Sequence, residues 1–282
     1  MLMTGASGVT PETAMPRPSR SSVPPAVDGA FARWLADGAA DLLLDLRGQM
    51  GFADPDALRA AGDRQSHEFI TDALVRWRPD DAVLSEEGVR DDPARLAADR
   101  VWIVDPLDGT REFGEEGRSD WAVHIALWTR SSIAPSRLAA ASISLPAAHR
   151  TMGTDFPPTY PPLSGPGTGG STLRFVASRT RPPALLTSVA EEFGAQVVPL
   201  GSAGAKIAAV ISGDADAYIH AGGQYEWDSA APVAVAFATG LHCSRIDGSP
   251  LEYNRSDPRL PDLLVCRKDL ASVLLAAISK AR

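Results

Sequence analysis

The stretch Val101-Trp102-Ile103-Val104-Asp105-Pro106-Leu107-Asp108-Gly109-Thr110 limits what this chain can become more than any other. Four consecutive apolar residues read as a fully buried strand. Pro106 cannot donate to a sheet ladder, so the chain is expected to turn there. Asp105 and Asp108 are then presented together at the carboxyl end of the strand. The Leu107 carbonyl can point into the same space, and Gly109 allows close backbone approach. Thr110 begins a helical turn whose free N–H groups favour an anion. Two carboxylates, a carbonyl and an anion-binding turn are what a hard cation and a phosphate need together, because magnesium takes oxygen ligands and keeps substrate phosphate in its shell. An isolated Asp-Gly reads only as a solvated turn. A calcium EF-hand is excluded, since the acids stand three apart and Pro106 fills the second position.

Further acids flank this segment. Ser85-Glu86-Glu87 follows a short strand over 82–84. A helix is expected over 64–77, from the 3.6-residue period of Phe69, Ile70, Ala73 and Leu74, with Asp63 at its start and Pro79 beyond its end. Downstream, Glu226-Trp227-Asp228 precedes an apolar helix expected over 229–239. Taken alone, Glu86 and Glu87 read as a solvated pair, Asp63 as a helix cap and Asp228 as an N-cap.

The rest of the chain divides by pattern. Residues 1–26 are rich in Pro, Ser, Thr and Gly and are expected to form a disordered tail. Leu35, Leu42, Leu43 and Leu46 predict a helix over 30–47. Strands are expected over 101–104, 121–128 and, on a weaker signal, 142–145. Residues 27–152 thus form an expected N-terminal α+β half carrying the metal site. A Pro/Gly-rich connection at 153–171 leads to a C-terminal α/β half, 172–282, that binds substrate. There, strands at 173–176, 196–199 and 217–220 alternate with helices at 183–193, 205–211 and 229–239. A formal net charge of −8 argues against a nucleic-acid polymer as partner. The chain has no run of eighteen apolar residues, and its start lacks the apolar stretch of a secretory signal, so a cytoplasmic location is expected. Cys243 and Cys266 belong to no C-x-x-C pair and are expected to be buried free thiols.

Together the DPLDGT at 105–110, the SEE at 85–87 and the WDSAAP at 227–232 resemble the signature of the inositol monophosphatase superfamily, which are magnesium-dependent, lithium-sensitive phosphatases. Asp63 precedes Glu86 by 23 residues and Glu86 precedes Asp105 by 19, close to the family pattern, and the resemblance covers residues 30–280. Within the superfamily the chain is similar to the 3′(2′),5′-bisphosphate nucleotidases of the CysQ type, and to the actinobacterial ones across AGDRQ, GSAGAK and AGGQYEWDSAAP. DGTREF matches their DGTKEF, Asp63 and His67 match D-x-x-x-H, Glu226 precedes the Trp-Asp pair, and Tyr253-Asn254 lies in a similar tail segment. Asp63 follows Ala61-Gly62, where many members have a Thr two or three residues earlier, which weakens the match at Asp63.

The resemblance implies a layered αβαβα sandwich of the sugar-phosphatase type, with the cleft between its halves. It implies that Glu86, Asp105 and the Leu107 carbonyl hold one magnesium ion, and that Asp105, Asp108 and Asp228 hold a second. Asp63 supports a third, weaker ion or orients water. Thr110, hydrogen-bonded toward Asp63, positions and helps deprotonate the attacking water beside Glu86, and the Gly109 and Thr110 amides bind phosphate oxygens. Arg179, in a segment resembling a nucleotide contact, meets a second phosphate or is an exposed loop arginine. Glu226 and the 253–254 segment are candidates for contacts to the rest of the substrate, and Ser202 and Gly204 open a helix near it. Lys206 faces the cleft or snorkels. His67 is expected to be structural, because magnesium prefers oxygen, and His124, His149, His220 and His242 carry no spacing signal. The implied reaction removes the 3′-phosphate of adenosine 3′,5′-bisphosphate, and that of its 5′-phosphosulfate, in sulfur assimilation. Inositol-1-phosphate and fructose-1,6-bisphosphate are the alternative substrates, and the oligomeric state stays open.

Overall fold

The computed structural model describes residues 23–88, 93–132, 137–160 and 172–282. Most of the expected tail, 1–22, and the stretch 161–171 of the expected connection lie outside the described residues. Two long helices come first, α1 (Asp28–Met50) and α2 (Pro55–Trp77). In α1, Leu35, Leu43 and Leu46 are buried as the period requires, and Leu42 lies at the margin of the same core. α2 begins well before the expected start at 64. Asp54 accepts a hydrogen bond from the Ala57 amide at 3.0 Å, and Pro55 takes the first helical position, where a missing N–H is no loss. Asp63 therefore stands inside α2 rather than capping it, because the start signal lies a full two turns upstream.

The first sheet runs in the order β1 (Ala82–Ser85), β2 (Arg100–Asp108), β3 (Ala122–Thr129), β4 (Arg137–Leu145) and β5 (Arg150–Gly153). Only the β1–β2 pair is parallel. β2 does not end at Pro106. Asp105 pairs with His124 and Asp108 with Ala122, so β2 carries one extra residue as a bulge. Pro106 has no N–H to offer the ladder, and its carbonyl instead accepts the Ser66 hydroxyl at 2.7 Å. Residues three apart on a regular strand face opposite sides; the bulge lets Asp105 and Asp108 share one. A short helix, α3 (Thr110–Phe113), follows at once, and Gly109 makes the turn into it with φ +86°, a backbone conformation other residues adopt only with strain.

The second sheet has the order β7 (Gln196–Leu200), β6 (Arg174–Ser178), β8 (Ala217–Tyr225), β10 (Arg259–Cys266), β9 (His242–Ser244). Its helices are α4 (Ala184–Phe193), α5 (Ala203–Ile211), α6 (Glu226–Ala238) and α7 (Ala271–Ala281). The alternation of side chains sorts the cores. Trp102, Val104, Val123, Ile125 and Leu127 face α1 and α2. Val101, Ile103, Ala126 and Ile143 face the other way, onto α5, α6 and the inner side chains Val176, Tyr218, Leu263 and Val265 of the second sheet. Phe175, Ile219 and Leu264 point outward to α4 and α7. The result is the layered αβαβα sandwich. Beyond Lys206 and the acidic first turn of α6 its middle layer is largely apolar, as helices covered by two sheets must be; α6 manages this with small residues such as Ala230, Ala231, Ala234 and Ala236.

Cys243 and Cys266 are free, the second buried and the first partly so. Among the described residues, no helix is long and apolar enough to cross a membrane.

Candidate active site

Three carboxylates converge where the first sheet meets the middle layer. Asp105, Asp108 and Asp228 each offer an oxygen within 4.8 Å of the others. Asp105 and Asp108 come from the β2 bulge. Asp228 comes from the first turn of α6, which starts at Glu226 rather than at 229 because Asp228 itself closes the turn: its Oδ2 accepts the Tyr225 amide at 2.6 Å in a reciprocal cap. Asp108 is held by the start of α5, accepting the Ala203 amide at 3.2 Å and the Gly204 amide at 2.6 Å. Asp105 accepts the Leu107 amide at 3.1 Å. Glu86 stands at the rim just after β1, an exposed residue whose carboxyl turns in against Asp105.

The electrostatics are those of a site short of positive charge. Burial, and then the charges of Glu86, Asp108 and Asp228, push the Asp105 carboxyl well above the ordinary range. Loss of water around its carboxyl raises Glu86 to about 7, with Asp228, Asp108 and Glu87 adding to the rise and the bond to Asp105 opposing it. Asp228 rises to about 6, by burial and by Asp108. Asp108 alone goes down: burial opposes its charge, but His124, the Gly204 amide and Lys206 outweigh it. Crowded acids that hold protons near neutral pH are strained by one another, and an all-oxygen donor set of this kind fits a hard divalent cation.

Beside the cluster, the Thr110 hydroxyl has two acceptors within reach, Asp63 at 3.2 Å and the Leu107 carbonyl at 3.1 Å. Burial and Glu87 raise Asp63 to about 6, against the pull of the Thr110 bond. Two turns inside α2, Asp63 thus reaches the site from the side opposite Asp228. His67, one turn further along, lies 3.0 Å from the Ser85 hydroxyl, a contact consistent with the structural part expected of it.

Other expected contacts sit differently. Glu226 is only 1% exposed, and its two oxygens accept the Asn254 and Arg255 amides at 2.6 and 2.8 Å. Both of its oxygens are thus engaged by backbone, a setting that differs from the open contact expected of it. Asn254, with φ +60°, is also held by Arg95 at 2.6 Å, and Tyr253 is buried with its hydroxyl 3.2 Å from Ser229. The Arg179 guanidinium is engaged by Glu112 at 2.6 Å and Glu115 at 3.0 Å, neither of which the sequence suggested. Ser202 caps α5, accepting the Ala205 amide at 2.8 Å. Lys206 neither snorkels nor lies open: it is buried, bonded to the Gly201 carbonyl and 5.4 Å over the Tyr218 ring, and burial lowers its pKa against the pull of Asp108 and Glu112.

The residue that sequence reasoning missed is His124. It is fully buried on β3, opposite Asp105 in register, with Nε2 3.2 Å from Asp108 and Nδ1 3.0 Å from the Trp227 carbonyl. Spacing carries no trace of it; a histidine inside the apolar run 122–129, on the strand beside β2, is the only signal.

This fold and this cluster define a phosphatase-type sandwich. The model of the inositol monophosphatase family matches residues 35–151 and 168–281, and the chain belongs to that family. A 3′-phosphoadenosine 5′-phosphate phosphatase of Mycobacterium tuberculosis is 53% identical over 244 residues, 86% of this chain and 90% of that one. The 3′(2′),5′-bisphosphate nucleotidase CysQ of Escherichia coli is 32% identical over 205 residues, 68% of this chain and 78% of that one. Among solved structures, inositol monophosphatase II of Staphylococcus aureus superposes with a TM-score of 0.69 at 23% identity, covering 87% of this chain and 92% of its own.

Proposed function

We propose that the chain is a magnesium-dependent phosphatase that removes the 3′-phosphate of adenosine 3′,5′-bisphosphate, leaving AMP and phosphate. The observation that carries the chemistry is the convergence of Asp105, Asp108 and Asp228 on one point, with Glu86 turned in beside them. Identity of 53% with the mycobacterial phosphatase supports the choice of substrate.

In this reading Glu86, Asp105 and the Leu107 carbonyl hold one ion and Asp105, Asp108 and Asp228 a second. Asp63 either adds a weaker third or orients water. Bound magnesium supplies the positive charge that lets a phosphate enter so acidic a cleft, and it acidifies the attacking water. The chain's own part is positioning. The Gly109 and Thr110 amides face phosphate oxygens. The Thr110 hydroxyl, with one hydrogen shared between Asp63 and Leu107, keeps lone pairs to accept from the water beside Glu86. As the water gives its proton to Thr110, Thr110 passes its own along its hydrogen bond to Asp63, which in this step orients water rather than holding an ion. Arg179, once released from Glu115, would be the side chain that meets a second phosphate.

The test is kcat/KM for adenosine 3′,5′-bisphosphate, inositol-1-phosphate and fructose-1,6-bisphosphate, each with and without magnesium. The bisphosphonucleotide is expected to be preferred, and only with the metal. A preference for inositol-1-phosphate would remove the nucleotide reading and leave the phosphatase standing.

A further inference from the structure

Asp108 and Asp228 come from different layers, and something must fix the gap between them. Asp108, on β2, is tied across to the amides at the start of α5, whereas Asp228 is tied only to its own helix turn. His124, on β3, is the side chain that lies against both Asp108 and the turn of α6. Its ring lies in a slot between β2, α5 and α6 with no exposure to solvent. A carbonyl only accepts, so Nδ1 donates to Trp227, the residue before Asp228. At the opposite edge of the ring, Nε2 stands 3.2 Å from Asp108 Oδ2. The slot exists because residue 204 is glycine: a Cβ there would lie 2.1 Å from Nε2. The same Gly204 gives its amide to Asp108. Nε2 makes no hydrogen bond there, so the ring acts by its bulk: one flat, rigid plate is wedged between a carboxylate of the cluster and the helix turn that carries another.

We propose that His124 is a positioning residue of the acid cluster, a spacer that sets the separation of Asp108 from Asp228 and so the affinity of the site for a divalent cation. This role rests on the reading of the cluster as a cation site. Both Asp108 oxygens accept amides of α5, and the ring packed against Oδ2 limits how far the carboxylate can swing toward Asp228. Loss of such an outer partner typically weakens metal binding about 10- to 100-fold.

The test uses the full chain stripped of metal, titrated calorimetrically with magnesium chloride, with the melting temperature of the metal-free protein measured alongside. His124→Asn keeps an N–H within reach of the Trp227 carbonyl and gives up Asp108. It is expected to stay folded, melting somewhat below the wild type because Asp108 loses the ring beside it, while its magnesium dissociation constant rises about tenfold or more. His124→Gln, whose terminal amide can approach the place of Nε2, is expected to recover part of that loss. The magnesium concentration for half-maximal activity should move with the dissociation constant, and KM for the phosphate substrate much less. A purely architectural histidine would lower the melting temperature and leave the dissociation constant, measured well below melting, where it was. His124→Ala leaves a cavity and an unpaired buried carbonyl; if it does not fold, the Asn and Gln variants decide alone. A folded His124→Asn variant that binds magnesium within about twofold of wild type, when the expected loss is at least tenfold, overturns the role. Absence of magnesium binding by the wild-type protein overturns the cation reading itself, and the role with it.

Discussion

Glu226 and Asp228 occupy one turn of one helix, two residues apart and both largely withdrawn from water, yet their surroundings are opposite in kind. Burial pushes both carboxyls up. Around Glu226 the response is donors: two backbone amides, with Arg95 and Arg255 beyond them. Around Asp228 the next influence is another acid, Asp108, which raises it further. An acid whose donors are complete has been spent on architecture. An acid that faces acids has been left unsatisfied by the chain and is complete only when something else arrives. Position in the sequence does not distinguish the two; what surrounds each carboxyl does.

The largest expected effect follows directly. Asp228→Asn should lower kcat/KM by about a thousandfold or more, since a metal's share in such a reaction is several kcal/mol. The metal-free protein should melt at the same temperature or higher, because one repelling charge is gone while the cap to Tyr225 can survive. Asp108→Asn should be equally inactive but melt lower, its charge being held down by His124 and two amides. Differential scanning calorimetry beside steady-state kinetics would separate the two, and matching melting shifts would erase the distinction.

Glu226→Gln tests the other side of the comparison. The new NH2 would face a backbone N–H, so one buried donor goes unpaired, at a cost of about 1–3 kcal/mol in stability. Chemical denaturation should find that loss with turnover changed only a few-fold. A collapse of turnover with stability intact would make Glu226 a substrate contact after all.

A smaller effect concerns pH. Glu86, Asp63 and Asp228 have folded pKa values of about 7, 6 and 6, above their ordinary values. The folded metal-free protein thus binds more protons than the unfolded chain between roughly pH 4 and 7, and stability must fall as pH rises through that window. Melting temperature should decline from pH 5 to pH 8 without magnesium. Added magnesium, which needs the carboxylates ionised, should stabilise more at the alkaline end. A flat profile would mean the acids are not crowded.

The smallest concerns Arg179. Its guanidinium must give up Glu115 to reach a phosphate, and the exchange offsets part of the gain. Arg179→Ala should cost adenosine 3′,5′-bisphosphate about fivefold in kcat/KM relative to inositol-1-phosphate, less than a free arginine would. Equal losses on both substrates would assign Arg179 wholly to its glutamates.

The layered class was legible because buried strands and alternating helices are written in runs of side chains. Asp105, Asp108 and Asp228 were legible as a group only through their motifs; nothing local says that α6 returns to β2. What stayed hidden was settled by tertiary partners. The start of α2 lies at Asp54-Pro55, upstream of the period that suggested 64. β2 runs on past Pro106 because a bulge absorbs the missing donor. β9, β10 and α7 went unread: β9 has three residues, and β10 is interrupted by Pro261. His124 and Lys206 were ambiguous for a single reason, that a polar residue in an apolar run is defined by what it meets across the layers.

The middle layer also bears on how the chain is made. The first sheet is complete in sequence by Gly153, but its inner face is covered by α5 and α6, which end at Ala238. During synthesis the N-terminal sheet must therefore emerge with one hydrophobic face bare, and it stays so while the 85 residues from 154 to 238 are added. At ribosomal speeds of about 5–20 residues per second that is several seconds before the covering helices exist, a period in which the bare face is open to association with other chains.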